Sequence, residues 1–294
     1  MSEIERDPET GQPTTGHEWN GIKELDTPVP RGIMHFVIVT HLFALVWWIL
    51  MPAFPLGWTY TPGVLGVSQF TSADEAVAEA RLARAAWSDS LLQLPDAEIL
   101  ADEALMTRVS ETGNQLFGDN CAACHGRDAR GGIGYPDLTD HDWIWGDGSV
   151  AAIEDTMRVG INAQHTDTRF SQMPAFGTQQ MLSTAEVRNV AGYVYSLSNP
   201  DYSTAENLDR IEAGRETFAT NCAGCHGQDA TGIAAAGAPN LADGAWIYGG
   251  EIEHIIASVH GGRVGHMPYW EDRLTPVEIK TLALYVHALG TGTP

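Results

Sequence analysis

The longest apolar signal in the chain is one uninterrupted run. Residues 33–51, IMHFVIVTHLFALVWWILM, contain 19 positions without a charged side chain. At about 1.5 Å per residue, a helix of that length spans roughly 28 Å, close to the hydrocarbon thickness of a bilayer. A buried core helix this long carries a polar stripe, and none is visible here. The pattern predicts a transmembrane helix over 33–54. Trp47, Trp48, Trp58 and Tyr60 crowd its C-terminal side, as an interfacial aromatic belt does. Residues 1–32 are polar, rich in Gly, Pro, Asp and Glu, and only weakly periodic, which predicts an irregular tail. The apolar run begins late and has no small-residue cleavage site after it, so no cleavable signal peptide is expected.

Beyond the run, apolar positions recur at helical spacing. In a connector over 55–102, Ser72 and Glu75 suit the start of a helix over 76–86, and Pro95 marks a break. The rest of the chain repeats itself. Gly113-Asn-Gln-Leu-Phe117 matches Gly214-Arg-Glu-Thr-Phe218, and Pro136-Asp-Leu138 with Trp143-Ile-Trp145-Gly146 matches Pro239-Asn-Leu241 with Trp246-Ile-Tyr248-Gly249. Met173-Pro174 then matches Met267-Pro268. Each copy closes on a helix opened by a capping box, Ser183 with Glu186 and Thr275 with Glu278. Their apolar stripes are Val187, Val190, Ala191, Val194 and Ile279, Leu282, Ala283, Val286.

Between these helical segments stand the two stretches that carry chemistry. Asn120-Cys121-Ala-Ala-Cys124-His125-Gly126 and Asn221-Cys222-Ala-Gly-Cys225-His226-Gly227 each contain C-x-x-C-H, the c-type haem attachment pattern. Residues i, i+3 and i+4 share one face of a helical turn. Both thiols can therefore reach the two vinyl groups on one edge of a macrocycle while the imidazole meets the iron. A redox C-x-x-C or half of a zinc site uses similar spacing. Two intact copies, each with its histidine, favour two covalently attached haem c groups held by Cys121, Cys124, Cys222 and Cys225, with His125 and His226 as proximal ligands.

Composition narrows the rest. A length of 294 residues suits about two domains, and the four cysteines are all in the haem motifs. Net charge is −22 and lysine occurs only at positions 23 and 280, which excludes nucleic acid as a partner. The acidity either steers a basic partner protein or keeps the chain soluble. Lys23 and Arg31 precede the apolar run, and no Lys or Arg occurs over 52–79. The positive-inside rule then places the N-terminus in the cytoplasm. His35 and His41 lie inside the run, six positions apart, so they face about 240° from each other and cannot ligate one haem from this helix.

The second axial ligand decides between electron transfer and an open, reactive iron. After Cys222 the sole methionine is Met267, and Met173 is its equivalent by repeat position, ahead of Met157 and Met181. Proline after each methionine biases it toward extended geometry. Reading along the repeat pairs Met173 with His125, 48 residues apart (125 to 173), and Met267 with His226, 41 apart (226 to 267). The difference falls around 161–172 and reads as a surface-loop insertion. His141 and His165 compete in the first copy, and His254, His260 and His266 in the second. A methionine ligand favours ferrous iron and closes the coordination sphere.

In size and motif order each copy resembles a class I cytochrome c domain. The whole chain is similar to subunit III, the di-haem subunit, of the cbb3-type cytochrome c oxidase. The similarity rests on Gly16-His-Glu-Trp-Asn-Gly-Ile-Lys-Glu-Leu25 with Pro28 to Arg31, the single span, and the two Met–Pro domains. Gly32 departs from the aromatic residue that members often carry there. The resemblance implies a mainly α chain: tail 1–32, transmembrane helix 33–54, periplasmic connector 55–102, and tandem cytochrome c domains 103–199 and 205–294. It implies anchoring in a bacterial inner membrane with both haems in the periplasm. Electrons would pass from a donor cytochrome c to a mono-haem subunit and a haem–copper catalytic subunit, with no catalysis by this subunit itself. The rival readings are a di-haem peroxidase, a tethered carrier serving another redox complex, and a gas-sensing module.

Overall fold

The computed structural model describes residues 5–291. The chain divides into two units, one ending at Ala83 and the other beginning at Arg84.

In the N-terminal unit, the stretch expected to be an irregular tail contains a β-hairpin instead. Strands β1 (Thr14–Trp19) and β2 (Ile22–Leu25) pair antiparallel, with Trp19 opposite Ile22 and Glu18 opposite Lys23. Asn20 and Gly21 both have positive φ, 51° and 86°, which is the two-residue turn whose twist matches that of the flanking strands. Helix α1 (Arg31–Leu50) follows Pro30, which stands just outside the first turn. It is long and apolar enough to cross a membrane, and none of its residues is buried within the chain. Its last carbonyls do not go unpaired. Those of Ile49 and Leu50 accept from the N–H groups of Val64 and Leu65 at 2.9 and 3.0 Å. His41 is satisfied inside α1, its Nδ1 lying 2.7 Å from the Val37 carbonyl one turn back.

Helix α2 (Gln69–Gln93) begins earlier than the 76–86 expected from Ser72 and Glu75. Ser68 serves as its cap, accepting the Thr71 N–H on its hydroxyl at 3.3 Å.

The C-terminal unit holds the rest: α3 (Asp96–Ala101), α4 (Glu103–Asn120), α5 (Ala122–His125), α6 (Val150–Val159), α7 (Thr184–Ser198), α8 (Leu208–Asn221), α9 (Ala223–His226), α10 (Ile252–Gly261) and α11 (Pro276–Thr291). Both capping boxes form. Ser183 N–H donates to Glu186 at 2.8 Å, and Thr275 N–H to Glu278 at 2.8 Å. Both apolar stripes are buried, with Val190, Ala191, Leu282 and Ala283 at 0% exposure.

What the stripes are buried against differs from the order of the sequence. The closing helix of the first copy, α7, packs on α8 and α10 of the second, while α11 packs on α4 and α6 of the first. Two cores result. One joins Val109, Phe117, Ile153 and Met157 to Ile279, Leu282 and Tyr285, and adds Leu91 and Ile99 from α2 and α3. The other joins Val187, Val190 and Val194 to Phe218, Ile255 and Val259. The domains 103–199 and 205–294 follow the repeat in sequence, but the cores do not. The second core is one continuous stretch of chain, and the first is completed only when the chain returns through α11.

Two glycines fix these partnerships. A Cβ on Gly113 of α4 would lie 2.6 Å from the Cβ of Tyr285, and one on Gly214 of α8 would lie 2.1 Å from the Asn189 carbonyl oxygen. Each lets its helix approach the closing helix of the other copy. Aromatic pairs mark the same contacts: Phe117 with Tyr285 at 5.8 Å and Tyr193 with Phe218 at 5.4 Å between centroids.

Candidate haem sites

Helix α4 runs into Cys121, and α5 continues it by one turn. The N–H groups of Cys124 and His125 both donate to the Cys121 carbonyl, at 3.1 and 3.0 Å, so the two thiols and the imidazole are held on one turn. Cys222, Cys225 and His226 repeat this at the end of α8 with the same two distances. Cys121 and Cys222 are half-buried, and Cys124 and Cys225 are exposed. Burial pushes the Cys121 and Cys222 thiols up to about 11, so neither is a resting thiolate at neutral pH. Among the described residues no three His, Cys, Asp or Glu side chains converge as a metal cage.

The histidines are oriented from behind. His125 Nδ1 lies 3.3 Å from the Pro136 carbonyl and His226 Nδ1 3.0 Å from that of Pro239. A carbonyl can only accept, so Nδ1 carries the proton and Nε2 keeps its lone pair for iron. Burial pushes both imidazoles below their ordinary pKa, and the same carbonyls only partly oppose it. Both are therefore neutral and able to ligate at pH 7. Pro136 and Pro239 open the repeated Pro-x-Leu segments, which gives that part of the repeat a function.

The methionines change partners. Met267 packs against the core that contains Phe117, Cys121 and Trp143, and Met173 against the core that contains Phe218, Cys222 and Trp246. Each methionine thus packs with the core of the other copy's Cys–x–x–Cys–His turn, whereas reading along the sequence expects Met173 beside His125 and Met267 beside His226. Backbone pairs hold the crossing. Met267 and Ile161 exchange N–H···O bonds of 2.9 and 3.0 Å, and Met173 and Arg263 exchange bonds of 2.9 and 3.1 Å. The glycines that end α6 and α10 permit this approach: a Cβ on Gly160 would lie 2.6 Å from the Met267 oxygen, and one on Gly262 would lie 2.7 Å from that of Met173.

Segment 161–172, expected to be a surface insertion, is part of this junction. Asn162 Nδ2 donates to the carbonyls of Ser171 and Gly265, at 2.8 and 2.7 Å. His165 is engaged elsewhere, its Nε2 2.7 Å from Glu271, which leaves it a poor rival for iron. The residue set fits a haem in each half: paired thiols, a backed imidazole and a thioether in one core. The Nε of Arg169, buried without a partner, adds a donor suited to a propionate carboxylate.

Comparison with known proteins agrees along the whole length. Residues 11–58 match the N-terminal domain of cytochrome oxidase-cbb3, FixP, residues 110–198 match cytochrome c, and residues 209–286 match cytochrome c oxidase, cbb3-type, subunit III. The chain is 43% identical to the cbb3-type cytochrome c oxidase subunit FixP of Bradyrhizobium sp. (strain ORS 278), covering 98% of each chain. It is 40% identical to FixP of Azorhizobium caulinodans over 96% of this chain and 94% of that one, and 41% identical to CcoP of Cereibacter sphaeroides over 95% of each. The chain belongs to the FixP/CcoP family of cbb3 oxidase subunits. As a family member with two cytochrome c domains it takes two covalently attached haem c groups and has an electron-transfer role. The FixP-type match covers both the hairpin and α1, so the hairpin is part of the family's N-terminal domain.

Proposed function

We propose that the chain is the di-haem relay of a cbb3-type oxidase, with the iron ligands paired across the repeat. One haem is bound by Cys121 and Cys124 and ligated by His125 and Met267. The other is bound by Cys222 and Cys225 and ligated by His226 and Met173. The observation that carries this reading is the placement of one Met–Pro loop in each core that also holds a Cys–x–x–Cys–His turn. Each haem supplies a one-electron ferric/ferrous couple. The protein keeps both irons closed, so that electrons pass and neither oxygen nor peroxide binds. This reading sets aside the peroxidase and the gas sensor, which need an open or displaceable position.

Electrons enter from a soluble or membrane-bound donor cytochrome c and leave through the mono-haem subunit toward the haem–copper catalytic subunit. Helix α1 crosses the bacterial inner membrane, with Lys23 and Arg31 on the cytoplasmic side and both haem cores in the periplasm. The net charge of −22 supports docking of a basic donor.

Two measurements test this. Reduced wild-type protein should not bind carbon monoxide stoichiometrically, and binding at either haem would revive the peroxidase or the sensor. Purification in mild detergent should bring down a haem–copper subunit. Recovery with a different redox enzyme, and without that subunit, would overturn the oxidase assignment.

A further inference from the structure

The repeat extends upstream of each methionine to an arginine. Arg169 stands four residues before Met173, and Arg263 four before Met267. Each lies over the aromatic residue at the matching place in the Trp-Ile-Trp and Trp-Ile-Tyr segments: Arg169 at 5.3 Å from the Trp145 ring centroid, Arg263 at 4.4 Å from that of Tyr248. Arg169 N–H donates to the Gly160 carbonyl at 3.1 Å, next to the Ile161 that holds Met267. Arg263 pairs directly with Met173. Arg169 thus accompanies Met267 and the His125 core, and Arg263 accompanies Met173 and the His226 core.

The surroundings of the two guanidinium groups differ in charge. Arg169 Nη2 meets Asp155 at 3.0 Å, and the neighbouring Arg158 meets Asp155 at 2.7 Å and Glu271 at 3.3 Å. Asp155 and Glu271 face Arg158, Arg169 and, on Glu271, His165 at 2.7 Å, so each guanidinium of the cluster has a carboxylate partner. Arg263 donates from Nε to the Ser258 hydroxyl at 3.0 Å and has no carboxylate within 4.0 Å among the described residues. Counting back from the helix-ending glycines 160 and 262, the position of Asp155 is taken in the second half by Ala257.

We propose that this difference sets the two haems at unequal potentials, the unneutralised Arg263 holding the His226 haem above the His125 haem, whose arginine Asp155 neutralises. The inference rests on the crossed His/Met reading above. Ferric iron carries one more positive charge than ferrous, so a nearby uncompensated cation disfavours the ferric state. Arg263 is half-buried, so solvent reduces the effect without abolishing it. An electron shared between the haems then resides mainly at His226.

The test is an optical redox titration of the full-length protein in detergent, with each wave assigned in chains that keep a single Cys–x–x–Cys pair. Ala257 is exposed, so Ala257→Asp can be introduced without disturbing a core. It should lower the His226 haem by about tenfold in its ferrous-to-ferric ratio, ~59 mV for a one-electron couple. Arg263→Gln should act in the same direction, and Asp155→Asn should raise the His125 haem alone. Equal wild-type potentials, or potentials unmoved by Ala257→Asp and Asp155→Asn while both haems keep His/Met spectra, would overturn the proposal. Wild-type haems that lack His/Met spectra would instead overturn the ligand reading beneath it.

Discussion

The two halves of the C-terminal unit share a motif order and nearly the same backbone hydrogen bonds, yet they are finished differently. The His226 core is assembled from one continuous stretch, in which α7, α8 and α10 follow each other along the chain. The His125 core waits for α11, the last helix, and is further sealed by Leu91 and Ile99 from the connector. Lys280 of α11 adds ion pairs to Asp96 of α3 and Glu154 of α6, whereas Arg188, its counterpart in α7, has none among the described residues. A duplicated sequence has become two interlocked cores, in which each half packs its closing helix and its Met–Pro methionine against the other.

Truncation should separate the halves most sharply. A chain ending at residue 266 keeps the helices of the His226 core and the Met173–Arg263 backbone pair, and loses Met267 and α11. It should retain one low-spin haem at Cys222/Cys225 and leave the other high-spin and open to carbon monoxide, as read by optical and resonance Raman spectra. Loss of both haem spectra together would mean that the second core does not stand alone.

Filling the close approaches comes next. Gly214→Leu drives a side chain into the Asn189 carbonyl, 2.1 Å from the new Cβ, while Gly113→Leu meets the backbone-fixed Cβ of Tyr285 at the longer distance of 2.6 Å. Overpacking of this kind costs about 1–3 kcal/mol. Thermal unfolding should show the larger loss for Gly214→Leu, and equal losses would contradict the asymmetry.

A double-mutant cycle on Phe117 and Tyr285 should give a coupling of about 0.5–1.5 kcal/mol, the value of an aromatic pair. Phe117 with Tyr193 should be additive, because they lie in different cores. Coupling between Phe117 and Tyr193 would restore the uncrossed domains.

The smallest effect belongs to Lys280. Burial lowers its pKa, but the bonds to Asp96 and the charge of Glu154 outweigh this and raise it above the ordinary lysine value. Its contribution is therefore complete below about pH 10.4 and is lost as pH rises through the raised value. Lys280→Met should cost about 1 kcal/mol at neutral pH, discounted because the group is partly exposed to solvent. The difference from wild type should shrink in denaturant titrations above pH 10.5. A constant difference at all pH values would assign the effect to packing instead.

Much of this architecture was legible in the sequence, for identifiable reasons. The uncharged run, both capping boxes and both four-residue stripes are local signals: the run reappears as helix α1, and the boxes and stripes reappear in α7 and α11 with the stripes buried. The hairpin was also signalled, by Asn20-Gly21, but the two flanking segments are short and polar and hide the alternation. The crossing was harder to see. A stripe says that a face is buried and is silent about the partner, and two similar stripes are interchangeable on that criterion. The distinguishing information was the short link over 199–207, since helices joined so closely pack as antiparallel neighbours. Gly113 and Gly214 were visible as a repeat, but their meaning depends on Tyr285 and Asn189, far away in sequence.

The crossed ligation is tested most directly in a chain with Cys222 and Cys225 replaced by alanine, so that haem is attached only at Cys121 and Cys124. In that background Met267→Ala should abolish the methionine-to-iron charge-transfer band and yield a high-spin haem, while Met173→Ala should leave the band intact. Loss of the band with Met173→Ala, and its survival with Met267→Ala, would contradict the exchange and return each iron to its own half of the repeat.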